Sequence, residues 1–228
     1  MDKAKEASAA YRRGDYGSAE RLWREIDDPE SQYQIAMLYA HGFGRDADVA
    51  EARDWFTKAA EAGHSDACYS LGVFYADGVG TDVDKAEAAY WYQKASAKGH
   101  PGAYNNLAGL YEAGEGVTRD YLKAVDLYGK AADKGFVPAF FNLGLMCDRG
   151  VGMPQDQKRA AKFYEVAAEN GLIEAMFNLG LLYSCGEGVP FDVDKARYWL
   201  NKAAELGSQQ AKASIVKLDQ SIAKTRAG

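Results

Sequence analysis

Apolar positions along the chain follow a helical period, and the helical pattern itself returns every 36 residues. In one unit Ala103, Leu107 and Tyr111 lie four apart and so share one helix face. The pattern breaks at Gly114-x-Gly116, where a glycine can take the left-handed conformation that closes a helix. Asp120 is then placed to cap a second helix, whose packing face carries Ala124, Leu127, Tyr128, Ala131 and Ala132. Gly135 stops it. Each unit is therefore predicted as helix A, a G-x-G turn, helix B and a glycine stop.

The unit repeats without insertion. The glycine pairs are Gly42/Gly44, Gly78/Gly80, Gly114/Gly116, Gly150/Gly152 and Gly186/Gly188. A further glycine column runs Gly63, Gly99, Gly135, Gly171, Gly207, and an aspartate column runs Asp48, Asp84, Asp120, Asp156, Asp192. Alanine columns run Ala67, Ala103, Ala139, Ala175, Ala211 and Ala52, Ala88, Ala124, Ala160, Ala196. Asp48 with Glu51 and Asp84 with Glu87 have capping-box spacing. Large residues alternate with the small ones: Trp55/Phe56, Trp91/Tyr92, Leu127/Tyr128, Phe163/Tyr164 and Trp199/Leu200 on the B helices, and Tyr39, Tyr75, Tyr111, Cys147 and Tyr183 on the A helices. One helix pair cannot bury its apolar face alone, so the units must stack. The expected fold is all-α, a right-handed α-solenoid superhelix of antiparallel helix pairs.

The ends differ from the middle. Residues 3–25 read as a shorter helix pair joined at Arg13-Gly14-Asp15-Tyr16, with Ala19 and Trp23 in the B-helix roles. Residues 210–224 read as an A-like cap with Ala211, Ile215 and Leu218 inward and Lys212, Lys217, Gln220 and Lys224 outward. Thr225 to Gly228 are expected to fray. The chain is thus read as one solenoid domain, 1–228: an N-terminal pair (1–30), five repeats (31–209) and a capping helix with its tail (210–228).

Composition narrows the function classes. In 228 residues, 27 Lys and Arg face 33 Asp and Glu, a net charge of −6. That balance argues against broad nucleic-acid binding and against a polybasic membrane patch. No run of about 18 apolar residues exists to span a membrane. The N-terminal MDKAKEASAAYRRGD has no apolar signal core. A cytoplasmic setting is expected, or a periplasmic or secreted one if a signal was removed. Three cysteines cannot pair completely. There are 24 Gly against 5 Pro, which fits glycine-closed helices.

The columns A-x-x-x-L-G-x-x-Y-x-x-G-x-G and D-x-x-K-A-x-x-W-Y-x-K-A-A-x-x-G resemble the Sel-1-like repeat, a branch of the tetratricopeptide-like superfamily. Unit two carries nearly all of it: Ala67, Leu71, Gly72, Tyr75, Gly78, Gly80, Asp84, Ala88, Trp91, Tyr92, Lys94, Ala95 and Gly99. Unit five is close, with Ala175, Leu179, Gly180, Tyr183, Gly186, Gly188, Asp192, Lys195, Ala196, Trp199 and Gly207. Cys147, Val166 and Ser31 depart from the pattern. The resemblance spans residues 31–211, and the run from Tyr11 to Trp23 is similar to a plain tetratricopeptide unit. The paired cysteines of a disulfide-bearing secreted subgroup are missing. The resemblance implies a bacterial, non-catalytic adaptor or scaffold without a cofactor or metal. It implies a monomer that binds a protein or peptide on a concave face lined by the A helices. A self-assembling structural module is the alternative, with an enzyme or enzyme inhibitor a remote third.

In that group three A-helix columns face the groove. Here they read Tyr33, Tyr69, Asn105, Phe141, Phe177; then Gln34, Ser70, Asn106, Asn142, Asn178; then Met37, Val73, Gly109, Leu145, Leu181. The expected partner-binding residues are Tyr69, Asn105, Asn106, Phe141, Asn142, Leu145, Phe177, Asn178 and Leu181. Asparagine amides both donate and accept, which suits a peptide backbone, and aromatics supply anchoring area. The competing reading is that the asparagines bond a neighbouring helix and set the repeat spacing, with Phe141 and Phe177 in the core.

Other motifs carry little. Ser214/Lys217 and Ser221/Lys224 have S-x-x-K spacing but no S-D-N or K-T-G run. The G-x-G pairs follow helices rather than strands and lack a third glycine, which rejects a dinucleotide loop. His64 with Cys68 has i, i+4 metal spacing without further ligands, so His64 and His100 are read as capping or surface residues. Cys68, Cys147 and Cys185 are expected to pack as small hydrophobes. Asp27/Asp28 and Glu165/Glu169 are expected on solvated faces. Leu143 lies in the leucine column of a central unit. Leu143→Asp is expected to cost about 3 kcal/mol or more, as an unpaired buried charge does. A thermal melt checks this, and an unchanged midpoint would contradict the register.

Overall fold

The computed structural model describes residues 2–227, with side chains through residue 222. Among the described residues there are thirteen helices and no strand. They are α1 (Lys3–Arg12), α2 (Tyr16–Ile26), α3 (Pro29–His41), α4 (Val49–Glu61), α5 (Ser65–Asp77), α6 (Lys85–Ala97), α7 (Pro101–Ala113), α8 (Tyr121–Asp133), α9 (Val137–Arg149), α10 (Gln157–Glu169), α11 (Ile173–Cys185), α12 (Val193–Glu205) and α13 (Gln209–Ala227). They form two compact units, Met1–Arg119 with α1–α7 and Asp120–Gly228 with α8–α13. Within each unit, every helix packs on its neighbours in the chain, as a solenoid requires.

The predicted punctuation is present. The five first glycines of the G-x-G turns close the A helices at positive φ, between 67° for Gly42 and 73° for Gly114 and Gly186. The aspartate column caps every B helix: Asp48, Asp84, Asp120, Asp156 and Asp192 accept from first-turn N–H groups. The capping boxes are used only in this direction. The N–H of Asp48 and of Asp84 donates to the carbonyl of Tyr39 and Tyr75, so the A–B loop itself satisfies the donor that a glutamate would take. Asp156 and Asp192 repeat the bond, to Cys147 and Tyr183.

The second glycine of each turn has a different task. A Cβ on Gly188 would lie 2.3 Å from the Gln157 carbonyl carbon, and one on Gly152 would lie 2.5 Å from the Tyr121 oxygen. In the first unit a Cβ on Gly116 would meet the Lys85 carbonyl carbon at 2.2 Å. Each such glycine therefore lets one repeat's turn rest on the start of the preceding repeat's B helix, backbone against backbone. All these glycines also hold φ near +68°, a conformation a side chain resists.

B-helix tyrosines provide a second link between repeats. A Cβ on Gly72 would lie 2.4 Å from the Tyr92 ring, and one on Gly144 would lie 2.5 Å from the Tyr164 ring. Each ring crosses a bare stretch of its own A helix toward the next. The Asn106 amide donates to the Tyr92 hydroxyl at 3.2 Å. The column pairing is visible along the chain: Tyr92, Tyr128 and Tyr164 are followed fourteen residues later by Asn106, Asn142 and Asn178, whereas Phe56 and Leu200 are followed by Ser70 and Ser214. Burial raises the Tyr92 phenol to about 12 despite the Asn106 bond. The Tyr164 phenol is also pushed up to about 12 by burial, partly offset by Asn178, although its hydroxyl does not reach good hydrogen-bonding geometry.

The N-terminal pair is tied to the first repeat by charge. Burial opposes ionisation of Glu20, but hydrogen bonds from Arg24, Arg45 and Tyr39 win and hold the carboxyl below its usual range. Arg24 lies 2.7 Å away and the Tyr39 hydroxyl donates at 3.1 Å. The Arg45 guanidinium contacts the other carboxylate oxygen and covers the Tyr39 ring.

Two expectations need correction. Cys68 and Cys147 are buried, but Cys185 is exposed, because it ends α11 at the turn. Asp27 and Asp28 are exposed, as expected, and also engaged: Asp28 caps α3 through the Ser31 N–H, and Asp27 accepts from Gln32. The residues expected to fray continue α13 to Ala227. Gly228 and the Lys224 side chain lie outside the described residues. The histidine column caps helices, as expected. The Nδ1 of His64 and of His100 accepts from the N–H of Ala67 and Ala103, at 3.2 and 3.1 Å.

Two measurements test these links. Gly188→Ala is expected to cost about 2 kcal/mol or more, because it combines a disfavoured φ with a backbone clash. Gly171→Ala also has a positive φ but meets nothing within 4 Å, so it is expected to cost only about 1 kcal/mol. Equal melting points would remove the spacer role. His100 is held below the ordinary imidazole range by burial, against the pull of Asp66. The unfolded chain then takes up a proton before the folded one does. The His100 contribution to stability is therefore complete above the unfolded pKa and is lost as the pH falls below it. Wild type is expected to lose melting temperature more steeply than His100→Asn on acidification below about pH 6.5; parallel curves would contradict this.

Candidate functional site

The A-helix columns build one groove in each unit. In the first unit a hollow of about 550 Å³ is lined by Tyr33, Met37 and His41 of α3 and by Asp66, Tyr69, Ser70 and Val73 of α5, with His100 at its edge. In the second unit a hollow of about 580 Å³ is lined by Phe141, Leu145 and Arg149 of α9 and by Glu174, Phe177 and Asn178 of α11, with Leu206 to Gln210 at its edge. Both sit where two successive A helices present the same face, because i, i+4 and i+8 positions share that face.

The two grooves are the same site built twice. Moving 108 residues, or three repeats, along the chain takes Tyr33 to Phe141, Met37 to Leu145, His41 to Arg149, Asp66 to Glu174, Tyr69 to Phe177, Ser70 to Asn178 and His100 to Ser208. Each groove so holds an equivalent pair of aromatic rings, an equivalent aliphatic side chain, an acid and a base; Phe56, Phe74 and Val73 also line the first, and Ile173 the second. In the first groove the rings are backed by imidazoles: His64 stacks on Tyr33 at 4.5 Å and His100 on Tyr69 at 4.3 Å. His64 also meets Glu30 at 3.0 Å. In the second, Phe141 packs at 5.8 Å from the buried Tyr164 ring.

Of the expected partner-binding residues, the structure brings Phe141, Leu145, Phe177 and Asn178 together in the second groove and places Tyr69 in the first. Asn105, Asn106 and Asn142 line neither. Asn106 accepts from Asn105 and donates to Tyr92, so its amide serves the helix contact. Leu181 faces a smaller hollow with Leu200 and α13. In these columns the central repeat carries Asn105 and Gly109, where the repeats on either side carry aromatic and aliphatic side chains. The sequence reading overlooked His41, Asp66, Arg149 and Glu174. The three-repeat correspondence of these positions was the signal that could have found them.

The charged residues differ in their engagement. Asp66 stands 3.6 Å from the His100 Nε2. Arg149 and Glu174 are exposed and enter no ion pair among the described residues. Among the described residues no cluster of three or more His, Cys, Asp or Glu could hold a metal ion. No helix among them is long and apolar enough to cross a membrane.

Comparison with known proteins bears on the family. The Sel1 repeat family model matches five times, at residues 29–64, 65–100, 101–136, 138–172 and 173–208. Comparison with curated protein sequences returns no match. The chain is similar to a Sel1 repeat protein from Oxalobacter formigenes, with 31% identity and a TM-score of 0.83 over 92% of this chain and 85% of that one. It is also similar to c5321, a protective antigen of uropathogenic Escherichia coli, with 33% identity and a TM-score of 0.81 over 84% of this chain. The chain spans 41% of that antigen's length. Immunity protein Pa5087 from Pseudomonas aeruginosa, at 19% identity and a TM-score of 0.55 over 90% of this chain and 84% of that one, shares the fold alone. Five tandem matches across residues 29–208, and helix pairs stacked as in these relatives, establish that the chain belongs to the Sel1 repeat family, whose members are generally protein-interaction scaffolds.

Proposed function

We propose that the protein is a non-catalytic scaffold that binds a peptide or protein segment on its A-helix face. The observation that carries this reading is the pair of grooves. A buried core needs neither two half-buried rings facing an open hollow nor the same hollow rebuilt three repeats later. Half-exposed aromatics beside aliphatic side chains are the composition of binding hot spots. The anchors are Tyr33 and Tyr69 in the first unit and Phe141, Phe177 and Leu145 in the second. Asn178 and Ser70 supply polar contact at the groove floor. Asn106 holds the Tyr92 hydroxyl and Asn142 shares its column, so they act as positioning residues for the helices rather than as contacts.

This assignment predicts a division among variants. Affinity capture from the source organism's lysate is expected to recover a partner with wild type and with Cys185→Ser, and to lose it with Phe141→Ala, Phe177→Ala combined. Both rings are only partly buried, so the double variant is expected to stay folded, which circular dichroism checks. Truncation of such anchors costs about 2 kcal/mol or more of binding each. Equal recovery by the folded double variant would move the site away from this face.

A further inference from the structure

The two grooves share more than apolar lining, because their charges are ordered in the same way. Asp66 and Glu174 are each the second residue of an A helix, α5 and α11. His41 and Arg149 are each the last residue of the preceding repeat's A helix, α3 and α9. The acid therefore marks one end of each groove and the base the other, with the two rings and Met37 or Leu145 between them. Eleven residues of helical rise separate the acid column from the base column, about 16 Å along the helix axis. In the second unit both charges are exposed and outside any ion pair among the described residues.

We infer that each groove takes an extended peptide segment with a basic residue at one end, an acidic residue at the other and apolar side chains between. The segment's basic end lies at Asp66 or Glu174, and its acidic end at His41 or Arg149. The acid and the base also sit on neighbouring helices about 10 Å apart, so they stand about 19 Å from each other. An extended chain rises about 3.3 Å per residue and alternates its side chains, so charges six residues apart span that distance on one face. Charge at the ends fixes the register, and the rings supply the contact area. Opposite charges at the two ends select a dipolar segment over a uniformly acidic or basic one. Equivalent lining at seven positions gives the chain two sites of one specificity. This rests on the scaffold reading and names its ligand class.

The test uses the full chain and two synthetic peptides, acetyl-Glu-Ala-Leu-Ala-Leu-Ala-Lys-amide and its reverse, acetyl-Lys-Ala-Leu-Ala-Leu-Ala-Glu-amide, each with a counterpart in which Gln replaces both charged residues. Amide shifts are followed in 1H–15N spectra in mildly acidic buffer. One chain direction is expected to perturb the amides of Tyr69 and Val73 and those of Phe177 and Ser208 together, and to bind at least about fivefold more tightly than its neutral counterpart, a difference of about 1 kcal/mol. In Arg149→Glu combined with Glu174→Lys, the second groove is expected to prefer the reversed peptide. The first groove should keep its original preference, which also shows that the variant is folded. Equal binding of charged and neutral peptides, shifts at one groove only, shifts at neither, or a preference unmoved by the charge exchange would each overturn the inference. The scaffold reading fails separately. Loss of the captured partner in Phe141→Ala, Phe177→Ala without any peptide effect removes only the dipolar ligand. Peptide binding with unchanged capture removes only the scaffold assignment.

Discussion

The step from one repeat to the next depends on close approach at the second glycine of each turn. Backbone meets backbone at Gly116, Gly152 and Gly188, and backbone meets a side chain of the preceding helix, Tyr16 or Val49, at Gly44 and Gly80. No side chain fits between Gly188 and the start of α10, or between Gly116 and the start of α6. That contact leaves little freedom in how the turn sits on the preceding B helix. Once the step is fixed, matched columns must lie at matched places in each unit, and an uninterrupted period of 36 residues becomes a structural requirement. An inserted residue would move every later column off its face. Burial along the columns then follows. Alanines such as Ala88, Ala124 and Ala196 are wholly covered while the paired large residues fill the space around them.

Polar groups inside such a stack must be answered locally. The Asp column caps the B helices, its backbone N–H closes the A–B loop, and His64 and His100 cap two of the A helices with an imidazole nitrogen. The Tyr92 hydroxyl would be costly without Asn106. Where the ring is Phe56 or the side chain is Leu200, no hydroxyl needs a partner and a serine stands in the asparagine column. The asparagines thus trace the tyrosines, which explains three amides in register without invoking a ligand for each. The open face of the A helices carries rings and an aliphatic side chain that rest partly on the core, with an acid and a base, in the same order in both units.

Most of the fold was legible in the sequence because it is written five times. Helix ends, caps and core faces could each be checked against four other copies, and Gly114, Asp120, Ala124 and Tyr128 do in the structure what their spacing implies. The exceptions are local. Cys185 lies at a helix end, where a column cannot tell a packed residue from an exposed one. Thr225 to Ala227 belong to α13 past the last full repeat, where no further copy constrains the reading. The groove was half legible. Phe141, Phe177, Leu145 and Tyr69 came from their column. The charged rim did not, because His41 and Asp66 resemble Arg149 and Glu174 only when the chain is compared at three repeats rather than one.

The central claim is that the outward A-helix face carries the interaction. Hydrogen–deuterium exchange of the full chain, with and without a partner recovered by capture, tests it most directly. The account predicts added protection in α3 and α5 or in α9 and α11, with exchange in α4, α6, α10 and α12 unchanged. Protection confined to the B helices or to α13 would contradict it.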